Sequence, residues 1–209
     1  MRGIACIAVV VSVLLTGCSR QPQQEAVQEP QPASLQWQTV TPEEMTTEQK
    51  AQHERCLAAV NSLASELMGE LMAALDSGGP AAGIEVCQSK APEVAAQVAA
   101  EYDLEIGRTS YALRNASNTP PAWAQGLVTE RVGEPVFLAG PEGQLGALLP
   151  IRLKAECQMC HGPAETLADD VRSAIAEYYP EDDATGFNTG DLRGWFWVEA
   201  PAGATELEL

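Results

Sequence analysis

Positive charge is scarce in this chain. Its 209 residues carry 12 Lys and Arg against 29 Asp and Glu, a formal net charge of −17 at pH 7. Such a balance argues against nucleic acid and against electrostatic docking on anionic lipid. It suits a basic redox or signalling partner, and simple solubility explains it equally well. Histidine is scarcer still, with two, His53 and His161. No second C-x-x-C and no H-x-x-x-H pattern is present, so a four-ligand zinc site lacks its other half. No internal repeat is visible. No apolar run is long enough to span a bilayer as a retained helix. The run from Ile4 to Leu15, behind Arg2, has the proportions of a cleavable signal.

That signal ends in Leu15-Thr16-Gly17-Cys18, which resembles a bacterial lipobox. Residues 1–17 are then removed, and Cys18 is diacylated and becomes the mature N-terminus. Several acyl chains anchor stably where one would not. The alternative is an ordinary signal peptide with an incidental cysteine. Ser19 stands where an inner-membrane retention signal has Asp, so the expected location is the cell envelope, on the outer membrane facing the periplasm. Residues 18–45 are expected to be the lipidated cysteine and a Gln/Pro-rich tether that buries no core and reaches roughly 25–30 Å. One folded domain follows over 46–201, and 202–209 form a tail.

Within the domain, Thr46 or Thr47 can cap a long helix, with Glu48 in its first turn. Cys56, Val60, Leu63, Leu67 and Leu71 recur at helical spacing, and Ser77-Gly78-Gly79-Pro80 ends the run. A second helix starts near Ala81, with Ile84, Cys87, Ala91, Val94 and Val98 on one face. Pro92 can break it in two, with Ser89 capping the second piece, or leave it whole; either way Cys87 points inward with the core residues. Residues 107–114 read as a strand after Leu104-Glu105-Ile106, and 115–121 as turns. A short helix over 123–131 follows, then strands at 135–139, 146–153 and 194–199, with another helix over 167–178. Short strands clustered late in the chain predict an α+β domain, a mainly antiparallel sheet with helices packed on it.

The chemistry lies in Cys157-Gln158-Met159-Cys160-His161. C-x-x-C-H is the run that attaches a c-type haem. Two thiols at that spacing add across two vinyl groups of one porphyrin edge. The next residue, His161, is carried under the iron as proximal ligand. Gln158 and Met159 are spacers. A redox dithiol opening a helix after the strand-like run 145–153 is the competing reading. The histidine and the export signal favour one covalent haem c, which is attached outside the cytoplasm.

The run Ile84-Glu85-Val86-Cys87 with Ala91-Pro92, then Gly107-Arg108-Thr109-Ser110 with Leu113-Arg114-Asn115-Ala116-Ser117-Asn118, then Cys157 to Gly162, then Ala184 to Trp195, resembles a family of PAS-like c-type haem domains (Tll-type), long known only as a domain of unknown function. The resemblance covers nearly all of the folded domain, in order. Ala116 departs from it, replacing a Pro in a turn. The resemblance implies a PAS-like antiparallel sheet with flanking helices and a long N-terminal helix. It also implies one covalent haem with His161 and Cys87 as axial ligands.

Two thiols, Cys56 and Cys87, are left over after lipidation and haem attachment, and in an oxidising compartment a disulfide between them is the alternative. Otherwise Cys56 is a small buried apolar residue. Arg108, Arg114 and Arg193 are candidates for the haem propionates, since Arg pairs bidentately with carboxylates. Internal ion pairs with Asp191 or Glu105 are the alternative. His53 is read as a solvated surface residue, and Trp195-Phe196-Trp197 as core beside the haem. The functions in view are electron transfer, redox or gas sensing, or a peroxidase or reductase acting at an opened axial position. Two protein ligands close the iron and no nucleophile–base set stands out, so a non-enzymatic role is preferred. A thiolate favours ferric iron, so the reduced protein is expected to release Cys87 and admit a diatomic ligand.

Overall fold

The computed structural model describes residues 37–203. The signal segment, Cys18, most of the tether and most of the tail lie outside the described residues. No helix among those described is long and apolar enough to cross a membrane.

The long helix α1 runs over Thr47–Tyr102. A capping box starts it: Gln49 N donates to Thr46 Oγ1 at 3.2 Å, and Thr46 N donates to Gln49 Oε1 at 2.9 Å. The expected stop is real, because Gly79 leaves the helical region at φ 70° and ψ −170°. Only glycine adopts that conformation at little cost. The break folds α1 into a hairpin of two antiparallel arms. Cys56 and Leu63 of the first arm share a core cluster with Val94 and Val98 of the second. Near the turn, a Cβ on Gly83 would lie 3.0 Å from Leu71, so a small residue is needed where the arms cross. Asp103, in the left-handed region, closes the second arm with its N–H on Ala99 O.

Pro92 does not break the second arm. Proline removes one helical hydrogen bond, and both Pro92 and Gln88 lie on the exposed side. Ala91 and Val94 beside it are buried and hold the arm in place. Ser89 caps nothing; its Oγ donates to Glu85 O one turn back.

The sheet is wholly antiparallel, as expected. Its strands are β1 (Gln38–Thr39), β2 (Glu105–Thr109), β3 (Val136–Ala139), β4 (Leu145–Arg152) and β5 (Leu192–Ala200), in the order β1-β3-β4-β5-β2. Period-2 alternation divides the faces. Ile106, Leu145, Ala147, Val198 and Ala200 pack under the α1 hairpin. Leu148 and Trp195 face the other way, against Ala124 and Val128 of a short 3₁₀ turn (Ala122–Ala124) and helix α2 (Gln125–Thr129). Gly107 is paired with Trp197, and a Cβ there would lie 2.7 Å from the indole. Two further helices, α3 (Gln158–His161) and α4 (Asp169–Tyr178), precede β5.

Two boundaries differ from the sequence reading. The tether ends early, because β1 pairs with β3, Trp37 stacks near Trp123 at 5.3 Å and Met45 is buried in the core. A two-residue strand and isolated apolar side chains leave no period to read. The strand expected to reach residue 114 stops at Thr109. There the Ser110 hydroxyl donates to Arg193 O and accepts from Ala112 N, which turns the chain out of the ladder. Trp195 is core, its Nε1 donating to Val132 O, and the rings of Tyr111 and then Phe187 lie between it and His161.

Candidate functional site

The cysteine–histidine motif forms a 3₁₀ turn, Ala155–Cys157, running directly into α3. That helical path puts Cys157 and Cys160 one turn apart, with His161 immediately after. Backbone bonds from a later loop tie the motif down: Gly186 N to Gly162 O and Phe187 N to His161 O, both at 2.9 Å. Arg114 braces the same loop. It donates to Cys160 O at 2.7 Å, to Ala184 O at 3.2 Å and to Asp182 Oδ1 at 2.8 Å. Arg114 was a candidate for a haem carboxylate; the structure uses it inside the protein, and its acid is Asp182, neither Asp191 nor Glu105. Both partners sit in loops, where no periodicity signals their approach. Asn115, just beyond, closes its own turn by accepting from Ser117 N, so Ala116 in place of Pro changes little there.

His161 is placed with care. Its Nδ1 lies 2.7 Å from Ala184 O. A carbonyl only accepts, so Nδ1 carries the proton and Nε2 is left as the metal-binding nitrogen. Arg193 Nε lies 3.3 Å from the same Nδ1. Two N–H donors cannot bond to each other, so this is a cation against an imidazole. Burial, then the charges of Arg114 and Arg193, pushes His161 down to about 3, which keeps it neutral at pH 7. The Phe187 ring stands edge-on, 6.5 Å away.

Cys87 sits on the second arm of α1, facing the motif. Ile84, one turn earlier, packs in a cluster that includes Cys160 and Val171, Ile175 and Tyr179 of the α4 region. Burial raises the Cys87 thiol, while Arg108 and Arg114 pull it down. Cys160 is pushed up to about 11 by burial, and Cys87 is among the charges acting on it. Cys56 is elsewhere, wholly buried in the core between hairpin and sheet, and its thiol is pushed up to about 12 by burial. Both cysteines carry free thiols. His53 is half-buried, its ring perpendicular to that of Phe137 with the centroids 4.6 Å apart, so it is less solvated than expected and belongs to the sheet end of the molecule. Met159 is 41% exposed, as a spacer should be.

The family model for Tll0287-like proteins matches residues 20–201. The chain belongs to the Tll0287-like family. Its fold is also similar to the crystal structure of the cyanobacterial heme-protein Tll0287. The TM-score is 0.55 and the identity 22%, over 79% of this chain and 99% of that one. No curated protein matches it.

In this Tll0287-like chain the charge inventory beside the motif is unusual. Among the described residues Arg108 and Arg193 have no carboxylate partner, in a protein with an excess of acids. Burial lowers both guanidinium groups, Arg193 to about 10. Half-buried cations without an ion pair are costly, so the surroundings of the motif are chemically suited to anions. Residues the sequence did not mark complete it. Ala184 contributes only a carbonyl, Ser110 a hydroxyl and Asp182 the acid for Arg114, and Tyr179 lies near Cys87. A backbone acceptor leaves no trace in residue identity. Asp182 could have been sought as the acid matching a buried arginine, though nothing local points to it.

Proposed function

We propose that this protein binds one haem c, attached through Cys157 and Cys160, with His161 and Cys87 as the axial ligands. The observation that carries the reading is that Cys87, the Cys157–Cys160 pair and His161 lie close enough to Arg108, Arg114 and Arg193 for their charges to act on one another, with Arg108 and Arg193 in no ion pair among the described residues. His161 Nδ1 is engaged by Ala184 O, which leaves Nε2 as the binding atom, and Cys87 lies near enough to Arg108 and Arg114 for both to act on its thiol. A thiolate ligand and two propionates would supply the anions that Arg108 and Arg193 lack. Membership of the Tll0287-like family and the likeness to the cyanobacterial heme-protein Tll0287 support the same reading.

When bound, the haem supplies one-electron redox chemistry and an iron centre able to meet a diatomic gas. The role we infer is electron transfer or redox and gas sensing, with no catalysis required. The protein is read as a lipoprotein anchored through Cys18 to the cell envelope, facing the periplasm, on the strength of Leu15-Thr16-Gly17-Cys18. Its acidic surface would favour a basic redox or signalling partner.

The test is covalent attachment. Protein from cells with a working maturation system should keep its colour after denaturation and carry the added mass of one haem. The Cys157→Ala, Cys160→Ala double variant should lose both. Colourless wild-type protein would overturn the reading.

A further inference from the structure

Arg193 is held more firmly than a propionate contact requires. Its Nη1 donates to Ser110 Oγ at 2.9 Å and to Ala112 O at 3.0 Å. The Ser110 hydroxyl in turn donates to Arg193 O at 2.7 Å, closing a ring of bonds between the end of β2 and the start of β5. Gly194 makes that closeness possible, since a Cβ there would collide with the Thr109 carbonyl. The guanidinium carbon lies 5.3 Å over the Phe187 ring, whose edge meets His161. The clamp leaves Nε at 3.3 Å from His161 Nδ1. No carboxylate among the described residues forms an ion pair with it, and Asp182, which pairs with Arg114, offsets its charge only from farther off.

We propose that Arg193 is a positioning residue for the proximal ligand: its clamped guanidinium sets a fixed positive charge against the His161 imidazole and raises the reduction potential of the iron that His161 holds. The inference rests on the haem reading above. Two influences meet at one nitrogen. The bond from Nδ1–H to Ala184 O makes the imidazole a stronger donor and favours ferric iron. The cation beside it disfavours added positive charge and so favours the ferrous state. Burial lowers the effective dielectric, so the guanidinium acts strongly and is screened little by salt. A thiolate ligand pulls the potential down, and Arg193 pulls it partly back.

The experiment is a potentiometric titration of the haem-loaded wild type, Arg193→Gln, Arg193→Lys and Ser110→Ala. Arg193→Gln should shift the midpoint potential to more negative values. Arg193→Lys, which keeps the charge, should recover most of the shift. Ser110→Ala, which loosens the clamp, should move it the same way by less. The Arg193→Gln shift should persist at about 1 M salt, where surface charges are screened within about 3 Å. An unchanged potential in haem-loaded Arg193→Gln would overturn the inference, as would equal shifts for the Gln and Lys variants, which would mark a packing effect. If Arg193→Gln fails to load, a Ser110→Ala potential equal to wild type overturns it. A wild type without haem refutes the reading beneath, whereas a loaded protein with an insensitive potential refutes this inference alone.

Discussion

Cys56 and Cys87 stand on the two arms of one helical hairpin, and their surroundings give them opposite characters. Cys56 lies under the sheet-facing side, closed in by Ala59, Leu63, Val98 and Val198, and burial holds its thiol protonated at any ordinary pH. Cys87 is half-buried, faces the cysteine–histidine motif and has Arg108 and Arg114 near it. The same contrast separates the two halves of the molecule. The core between hairpin and sheet is mainly apolar; Gln52 Nε2 donates to Gly143 O and Pro201 O, while the buried Arg55 next to Cys56 leaves its Nε and Nη2 without a partner. The cleft around the motif gathers arginines with too few acids. A thiol in the first region is a packing residue. In the second, burial still raises the thiol, but Arg108 and Arg114 pull it part of the way back towards the ionised form, which is the form that binds metal.

The contrast can be broken most forcefully at Arg114. Its pair with Asp182 is buried, with 9% and 7% side-chain exposure. Arg114→Ala would leave Asp182 unpaired and release the Cys160 carbonyl, at a cost of about 3–5 kcal/mol. A urea melt should show that loss. If stability is unchanged, the cleft is not braced as described.

A smaller effect sharpens the comparison between the two thiols. Cys56→Ser puts an unpartnered hydroxyl into an apolar core and should cost about 1–3 kcal/mol. Cys87→Ser, in a half-buried polar setting, should cost less. Equal losses in parallel melts would mean that the two environments do not differ.

A third effect concerns pH. Folding depresses His161 from its ordinary 6.5 to about 3. The unfolded chain therefore takes up the proton first as pH falls. Stability from the neutral, buried imidazole is complete above about 6.5 and is lost progressively towards 3. In the haem-free Cys157→Ala, Cys160→Ala protein, the melting temperature should fall over that window, and adding His161→Gln should flatten the fall. Identical pH profiles would count against the burial of His161.

Legibility in the sequence followed the kind of signal involved. The faces of the helical hairpin, the stop at Gly79 and the antiparallel sheet were readable because helix and strand periods repeat over many residues. The motif was readable because its chemistry fixes a spacing. The Arg114–Asp182 brace, the Ala184 carbonyl and the Ser110 clamp were not, since each joins loops distant in sequence and leaves no local pattern. Residues 37–45 were misread as tether because a strand of two residues has no period. A break at Pro92 was one of two open readings, and the packing of Ala91 and Val94 decides for the unbroken arm.

The most direct test of the central claim compares ferric electron paramagnetic resonance spectra of haem-loaded wild type, Cys56→Ser and Cys87→Ser. A low-spin, thiolate-ligated signal should appear in the wild type and in Cys56→Ser and vanish in Cys87→Ser, with a rise in reduction potential in that variant alone. The same signal in all three proteins, or a Cys56–Cys87 disulfide in a peptide map of the native protein, would contradict the assignment of Cys87 to the iron.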